Sequence, residues 1–560
     1  MAEASAQAEL GETSPEKMRT VVAASAAGTV FEWYDFFIYG SLAVIMKDHF
    51  FANLPDAQAF IFTLLTFAVG FIVRPFGALF FGKIGDSKGR KGAFLVTITL
   101  MGIATFAIGL LPTQQTVPES LAILPPILLV ACRVLQGFAL GGEYGGAAIY
   151  VAEHAPRGQR GWATSWIQTS AGLGLIGALV VILTTRTIMG EEAFREWGWR
   201  IPFLLSIGLF GISIWIRMQL EESPAFQKLK SEGKTSERVF AESFFEWKNL
   251  RVVILALFGL MMAQGVVWYT GHFHARYFLE TALKVEGRTV DYFMLAATAV
   301  SAVLYVFFGW LSDKVGRKPV MLFGMALMLA SYFPGFHYMT QAANPALAEA
   351  TRTAPVTVLA DPADCSFQLD LTGGAARYSS SCDIAKGELA SFGVSYTTID
   401  APAGALAQVR IGDAATIDSV NGQGLDAAGL RALKVEYRTR IRAALTEAGY
   451  PARADPERIN AAGVIGMLIV FVIAATALYG PQAAALVELF PTRIRYTAMS
   501  FPYHVGTGWF GGLLPTIVFA IGVSTGDIYA GLWYPVVVTA LAFAICLLFW
   551  PETKNRDISD

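Results

Sequence analysis

About a dozen apolar runs, each near the length of a bilayer-crossing helix, leave this chain no soluble fold to adopt. They lie near residues 21–45, 58–82, 92–112, 122–150, 162–185, 201–220, 251–279, 290–311, 319–340, 461–487, 499–522 and 529–550. At a rise of about 1.5 Å per residue, some 20 apolar residues cross a ~30 Å hydrocarbon core. Composition agrees. Of 560 residues, 54% are hydrophobic and 15% charged, where a soluble domain carries about 25% charged. The mean hydropathy is +0.49. The expectation is an all-α polytopic membrane protein with twelve transmembrane helices.

Lys and Arg mark cytoplasmic loops. Lys83, Lys88, Arg90 and Lys91 follow the second run, Arg157 and Arg160 the fourth, and Lys228 to Lys248 the sixth. Lys314, Arg317 and Lys318 follow the eighth, Arg493 and Arg495 the tenth, Lys554 and Arg556 the last. The short loops near 113–120 and 522–528 carry neither residue. Both termini are therefore expected in the cytoplasm of a bacterial-type inner membrane. One outer loop, near 186–200, breaks the pattern with Arg186, Arg195 and Arg200. The polar start lacks the basic stretch and short apolar core of a signal peptide, so residues 1–19 read as a disordered cytoplasmic tail.

The chain repeats itself. Gly82, Asp86, Gly89, Arg90 and Lys91 fall at the same offsets as Gly309, Asp313, Gly316, Arg317 and Lys318. Glu153, Pro156, Arg160, Ala163 and Ser165 likewise match Glu488, Pro491, Arg495, Ala498 and Ser500. The first match is offset by 227 residues and the second by 335, so 108 residues are inserted in the second half. Composition locates the insert, since residues 341–460 hold no spanning run. Short β-like pieces (Pro355–Leu359, Phe367–Leu371, Val394–Ile399, Ala407–Ile411) precede an amphipathic helix near Ala427–Ala448. The domain plan is a six-helix bundle at 20–220, a central cytoplasmic loop at 221–250, and a second bundle at 251–340 and 461–550. A small α+β insert at 341–460 leaves on the outer side, and residues 551–560 form a tail. An oxidising outer compartment permits a Cys365–Cys382 disulfide, and closing that loop contributes roughly 3 kcal/mol in the chain-entropy model. Cys132 and Cys546 sit in apolar runs and read as inert.

Ionisable residues inside spans cost about 2.5–3.5 kcal/mol each and need partners or a wet cavity. Glu32 and Asp35 share one face of the first run, among aromatic residues. Arg74 lies in the second run; Arg133, Gln136 and Glu143 lie in the fourth. One reading is a polar cavity in which Arg133 meets an anionic group and a carboxylate carries a proton. The other is buried ion pairs, such as Asp35–Arg133 or Glu143–Arg74. The second half carries fewer such residues. His272 and His274 are candidates for proton handling, with an exposed position at a helix end as the expectation for each.

The repeated loops suit a conformational latch. Gly82 and Gly309 permit close helix contact, and Asp86 and Asp313 are placed to cap the helix that follows. Arg90 and Arg317 can pair with a carboxylate or a helix C-terminus. Lys91 and Lys318 complete each basic turn.

The paired Gly-x-x-x-Asp-x-x-x-Gly-Arg-Lys loops resemble the signature of the major facilitator superfamily. Phe31-Glu-Trp-Tyr-Asp-Phe36, Arg133-Val-Leu-Gln-Gly137, Gly141-Gly-Glu143, Glu153-His-Ala-Pro156, Trp199-Arg-Ile-Pro202, Glu222-Ser-Pro224 and Pro551-Glu-Thr-Lys554 resemble its metabolite:proton symporter branch. The resemblance spans roughly residues 20–340 and 461–555 and leaves the insert unexplained. It implies proton-coupled uptake by alternating access, of carboxylates such as α-ketoglutarate, citrate and shikimate, or of zwitterions such as proline and betaine. Buried arginines put an organic anion first. Aromatic residues near Asp35 keep a quaternary ammonium second. The partners implied are a small metabolite, protons and lipid, with no cofactor beyond the proton gradient, no metal and no nucleic acid, in a monomer. A ligand-sensing outer domain is a distant alternative, since the sequence offers no recognisable cytoplasmic signalling domain. No metal-ligand spacing, nucleotide loop or nucleophile elbow suggests an enzyme.

The topology has a direct check. Alkaline phosphatase, which folds only outside the cytoplasm, should be active when fused after residue 401 and inactive when fused after residue 556; the reverse pattern would invert the orientation.

Overall fold

The computed structural model describes residues 15–88, 90–142, 145, 148–149, 151–152, 155–156, 158–219, 239–366, 378–413, 415–491, 494–554, 556 and 558. The side chains of residues 15–28, 31–32, 57, 82–88, 90–94, 216–217, 219 and 427 fall outside that description.

The first half comprises α1 (Pro15–Phe50), α2 (Asp56–Ile72), α3 (Arg74–Lys88), α4 (Arg90–Leu110), α5 (Leu124–Leu140), α6 (Arg160–Met189) and α7 (Arg200–Gln219). The second contains α8 (Trp247–Ala282), α9 (Gly287–Val315) and α10 (Arg317–Ala343), and after the insert α14 (Ala461–Leu489), α15 (Arg495–Thr525) and α16 (Trp533–Phe549). Among the described residues nine helices are long and apolar enough to cross a bilayer. A further pair, Glu191–Gly198 and Arg200–Trp215, bends by 62°, and Leu95–Leu110 is a shorter apolar helix. Pro75 accounts for the break between α2 and α3, because its ring excludes the N–H and carbonyl geometry of a continuous turn. Paired prolines open α5, where a missing N–H costs nothing.

Two of the long helices depart from α geometry. α8 widens to π turns at Leu257–Met261, Thr270–His274 and Phe278–Ala282, and α15 does so at Gly506–Gly511. The first π turn of α8 touches that of α15, since a Cβ on Gly506 would lie 2.6 Å from the Met261 carbonyl carbon. Such bulges collect at functional sites.

The insert is a separate layer. After α11 (Pro345–Thr353) come β1 (Val356–Ala360), α12 (Ser381–Ser391), β2 (Tyr396–Asp400), β3 (Gln408–Ile411), β4 (Ala415–Asp418) and α13 (Ala427–Glu447). The sheet order is β2-β1-β3-β4. β1 runs parallel to β2, with Val358 opposite Thr398, and antiparallel to β3, with Val358 opposite Val409. The β-like piece Phe367–Leu371 lies outside the described residues. Strand β4 and helices α11 and α12 were not anticipated: their polar, short sequences carry too little periodicity. Cys365 and Cys382 are joined in a disulfide with Cα atoms 5.1 Å apart, tying the loop after β1 to the start of α12.

The insert is fastened to both halves. Its ends close on each other where the Asn460 N–H donates to the Ala342 carbonyl (2.8 Å). The Asn344 amide donates to the Leu283 carbonyl (2.9 Å), and Tyr396 N–H to the Gly526 carbonyl (2.7 Å), both in the second half. Arg431 donates to Asn53 Oδ1 of the first half at 2.6 Å. Beside that contact, burial lowers the Lys434 ammonium to about 8, while its Nζ donates to the Tyr378 carbonyl.

The backbones of the two halves come close at Gly161 and Gly309. A Cβ on Gly309 would stand 2.5 Å from Ser165 Cβ and 2.6 Å from the Gly161 carbonyl oxygen. Gly309→Val should therefore cost about 1–3 kcal/mol by overpacking and lower the melting temperature of the purified protein. Gly208→Val, where nothing lies within 4 Å, should leave it near wild type.

Candidate functional site

One end of the α6–α9 contact is a buried charge cluster. Asp313 Oδ1 accepts from the Gly161 N–H (2.9 Å) and Oδ2 from the Trp162 N–H (2.7 Å). These are free donors at the positive end of α6. Arg317 donates through Nη1 to Asp313 Oδ1 and to Ser312 Oγ, both at 2.7 Å. Its Nε and Nη2 reach Glu488 at 3.2 and 3.1 Å. Thr553 donates to the same carboxylate at 2.8 Å, and Arg160 stands 3.9 Å from it.

This corrects one expectation. Asp313 does not cap α10, the helix that follows it; it caps α6 in the other half. The start of α10 is capped by Glu552, which accepts from the Arg317 N–H (2.9 Å) and Lys318 N–H (3.1 Å). Gly316 makes the turn at φ +110°, and a Cβ there would lie 2.4 Å from Glu552 Oε2. Lys318 Nζ donates to the Leu547 carbonyl. Gly82, Asp86, Arg90 and Lys91 sit on α3 and α4, but their side chains, like the whole of Gly89, lie outside the described residues.

The opposite end of the same helix pair holds a second cluster, which the sequence reading missed. Arg186 of α6 stands 3.0 Å from Asp291 of α9. Arg276 of α8 donates to the same carboxylate at 2.6 Å and lies 3.6 Å from Glu280. All but Glu280's neighbourhood is drawn from residues 2% exposed or less. The second half is therefore not poor in buried charge. The irregular outer-loop arginines are also explained: Arg186 is an ion-pair partner, and Arg200 donates to the Gly109 and Leu111 carbonyls at 2.9 and 2.7 Å while lying over Trp199.

Between these clusters the halves meet through aromatic rings. Phe36, Phe37, Phe67 and Phe71 of the first half pack on Trp268, Tyr269 and Phe273 of α8, with ring centroids 5.1–6.1 Å apart. Arg74 lies over Phe71 (4.2 Å) and Phe36 (5.1 Å), and Arg133 over Tyr39 (4.6 Å) and Phe67 (5.2 Å). Arg133 also donates to Gln136 Oε1 at 2.7 Å and to the Phe67 carbonyl at 3.2 Å. Gln136 Nε2 donates to Thr105 Oγ1 at 2.5 Å, and the Thr105 hydroxyl donates to the Met101 carbonyl at 3.0 Å. Asp35 and Arg133 form no direct ion pair; Arg133 donates instead to Gln136 and the Phe67 carbonyl. Asp35 Oδ1 is buried without a hydrogen-bond partner. Among the described residues Arg74 has no carboxylate partner. Glu143, and the side chain of Glu32, lie outside the described residues.

His272 and His274 are not exposed at a helix end. They occupy a π turn of α8, at 3% and 6% exposure. His272 stacks on Trp268 with its Nδ1 2.9 Å from the Trp268 carbonyl, and His274 packs on Phe336. The π turn continues the span past the point where polarity suggested a loop. Among the described residues no group of three or more His, Cys, Asp or Glu side chains converges as a metal site requires.

Comparisons with known proteins agree with this architecture. Residues 20–246, 227–354 and 443–560 match the family described as "Sugar (and other) transporter". A proline/betaine transporter of Salmonella typhimurium is 37% identical over 334 residues, covering 57% of this chain and 64% of that protein. A shikimate transporter of Escherichia coli is 33% identical over 334 residues, covering 58% and 74%. The chain thus spans 64% of the length of the proline/betaine relative. A crystal structure of a D-xylose-proton symporter aligns with TM-score 0.58 over 96% of this chain and 98% of that one, at 17% identity, which speaks to the fold alone.

Removing one partner from a buried charge cluster costs about 3–5 kcal/mol. Asp313→Ala should therefore loosen the α6–α9 contact at this end. A cysteine replacing buried Ser165 should then react faster with maleimide; unchanged labelling would show that Asp313 does not hold the two helices together.

Proposed function

The chain belongs to the sugar (and other) transporter family, with a major facilitator fold, and from that premise we propose that it is a proton-coupled symporter of a small zwitterion such as proline or a betaine. The reading takes α2 with α3 as one span, so that twelve spans form two six-helix bundles in an inner membrane. Both termini then face the cytoplasm and the insert lies outside. In this arrangement the Asp313–Arg317–Glu488 cluster is the inner latch and the Arg186–Asp291–Arg276 cluster the outer one. With both made, the structure corresponds to an occluded state of the alternating-access cycle.

The observation that carries the substrate class is the aromatic interface between the halves, flanked by two arginines and one buried carboxyl. Aromatic faces attract a quaternary ammonium, and Arg133 meets a carboxylate in charge-assisted hydrogen bonds. A zwitterion uses both features. The relative named for proline and betaine supports this order over the organic anion that the buried arginines alone suggested. A carboxylate substrate remains the second reading, favoured by Arg74 and Arg133 and by the relative named for shikimate.

Asp35 is the proton carrier in this scheme. Its Oδ1 is buried without a hydrogen-bond partner, which leaves that oxygen available to a proton. Loss of the latches then lets the halves rock.

Purified protein in liposomes should accumulate glycine betaine or proline when the outside is acidified. Accumulation that persists after a protonophore collapses the gradient would refute the coupling. Asp35→Asn should abolish gradient-driven accumulation while permitting exchange of substrate across the membrane. Wild-type uptake by Arg133→Ala would remove that residue from the site.

A further inference from the structure

The family match leaves residues 355–442 uncovered. They make up most of the insert, and the insert is tied to the two halves in different ways. To the second half it is tied through main chain. The Tyr396 N–H donates to the Gly526 carbonyl at 2.7 Å, and the Ala454 N–H to the Lys284 carbonyl at 3.1 Å. Lys284 returns a bond from Nζ to the Ser391 carbonyl, and the Tyr396 hydroxyl donates to the Val523 carbonyl at 2.5 Å. Gly393, at φ +72°, lies so near Ala282 that a Cβ would stand 1.9 Å from its carbonyl oxygen. Buried main-chain groups that lose such partners are costly to expose unpaired.

Among the described residues no main-chain to main-chain hydrogen bond joins the insert to the first half. Side chains make that contact. Arg431 Nη1 of α13 donates to Asn53 Oδ1 at 2.6 Å. Beside it α12 rests on the start of α2, where a Cβ on Gly387 would stand 3.8 Å from Gln58 Nε2, an ordinary contact without overlap. Asp56 of α2 draws on all three parts of the chain. Burial pushes its carboxyl up, but Lys47 of the first half, Arg438 of the insert and Lys284 of the second half together hold it below the ordinary carboxylate range. Contacts between side chains at a surface break and re-form at little cost. The contact also lies at a telling place, since Lys284 stands in the loop that leads into α9 and Asp291.

We propose that the insert is a brace across the mouth between the halves: it travels with the second half as a rigid arm, and it grips the first half through Arg431 and the surface around Asp56. The end marked by Arg186 and Asp291 then opens only when this grip lets go. The asymmetry of the two attachments decides which joint parts, the side-chain grip and not the main-chain anchor. The proposal rests on the alternating-access reading above and gives the insert its part in that cycle.

The test is cross-linking of the full-length protein in liposomes. Asn53→Cys with Arg431→Cys, joined by a short bismaleimide, should stop uptake of proline or glycine betaine, while either single variant given the same reagent transports. Ser395→Cys with Asp527→Cys, which flank the Tyr396–Gly526 bond, should transport as well linked as unlinked. Uptake that continues with the first pair linked would overturn the grip. Uptake lost with the second pair linked would overturn the rigid arm. A labelling measurement needs no substrate and keeps the brace refutable if the linked pairs do not fold. Gln58→Cys, beneath α12 and 1% exposed as glutamine, should react faster with maleimide once Arg431→Ala and Arg438→Ala are added. An unchanged rate would show that these side chains hold nothing. A wild type that takes up neither compound would overturn the transport reading and leave the labelling to decide the brace.

Discussion

The contact between α6 and α9 is the constraint on which the rest of the molecule depends. Glycine faces glycine there, so the two backbones approach more closely than side chains would allow. That approach brings the free N–H groups of α6 within reach of Asp313, and the carboxylate joins one half to the other without a long side chain. Arg317 and Glu488 then balance the charge. A buried ion pair alone adds little net stability, because desolvation offsets Coulomb attraction. Here the carboxylates are also saturated with hydrogen-bond donors, which is the condition under which burial is tolerated. The Arg186–Asp291 pair places a second buried ion pair at the far end of the same two helices, with fewer donors on its carboxylate.

The interior between these ends answers a different demand. In the proposed cycle, two bundles that separate and rejoin need a surface that is dry when closed yet tolerates polar cargo. Stacked and edge-on rings provide apolar area, with faces that carry partial negative charge. Arg74 and Arg133 lie on those faces, which moderates the cost of keeping guanidinium groups in an apolar layer. The π turn of α15 lies against Phe71 and Tyr269 of the aromatic layer, and a helix with an extra residue per turn has a spare backbone register to use.

Much of this was legible in the residues. Period and length of the apolar runs gave the helices, and the unequal offsets of Gly82/Gly309 and Glu153/Glu488 exposed the insert. Proximity across the chain was not legible. Asp313 reads as a cap for its own following helix, because sequence shows neighbours in order and not in space; its partners lie some 150 residues earlier. Glu552 and Glu488 were visible inside recurring motifs, yet their roles depend on where three helix ends converge. Arg186 looked like a breach of the loop-charge rule, and Asp291, at the start of the run 290–311, carried no sign of its partner. Only their juxtaposition shows one to be the counter-ion of the other. Short strands such as Ala415–Asp418 escape because four residues are too few to show a period.

The placement of the two clusters has a mechanical meaning. The glycine contact is a fulcrum near one end of α6, and the rest of that helix is a lever arm. The roughly 25 positions from Gly161 to Arg186 span about 38 Å, so a tilt of about 10° at the fulcrum sweeps Arg186 through about 6–7 Å. That travel is about twice the 3.0 Å separation of Arg186 from Asp291. A small rotation, well within what packed helices accommodate, therefore separates the far pair completely while hardly stretching the near one. In the proposed cycle the two clusters need not part together: leverage alone sets the order in which they let go.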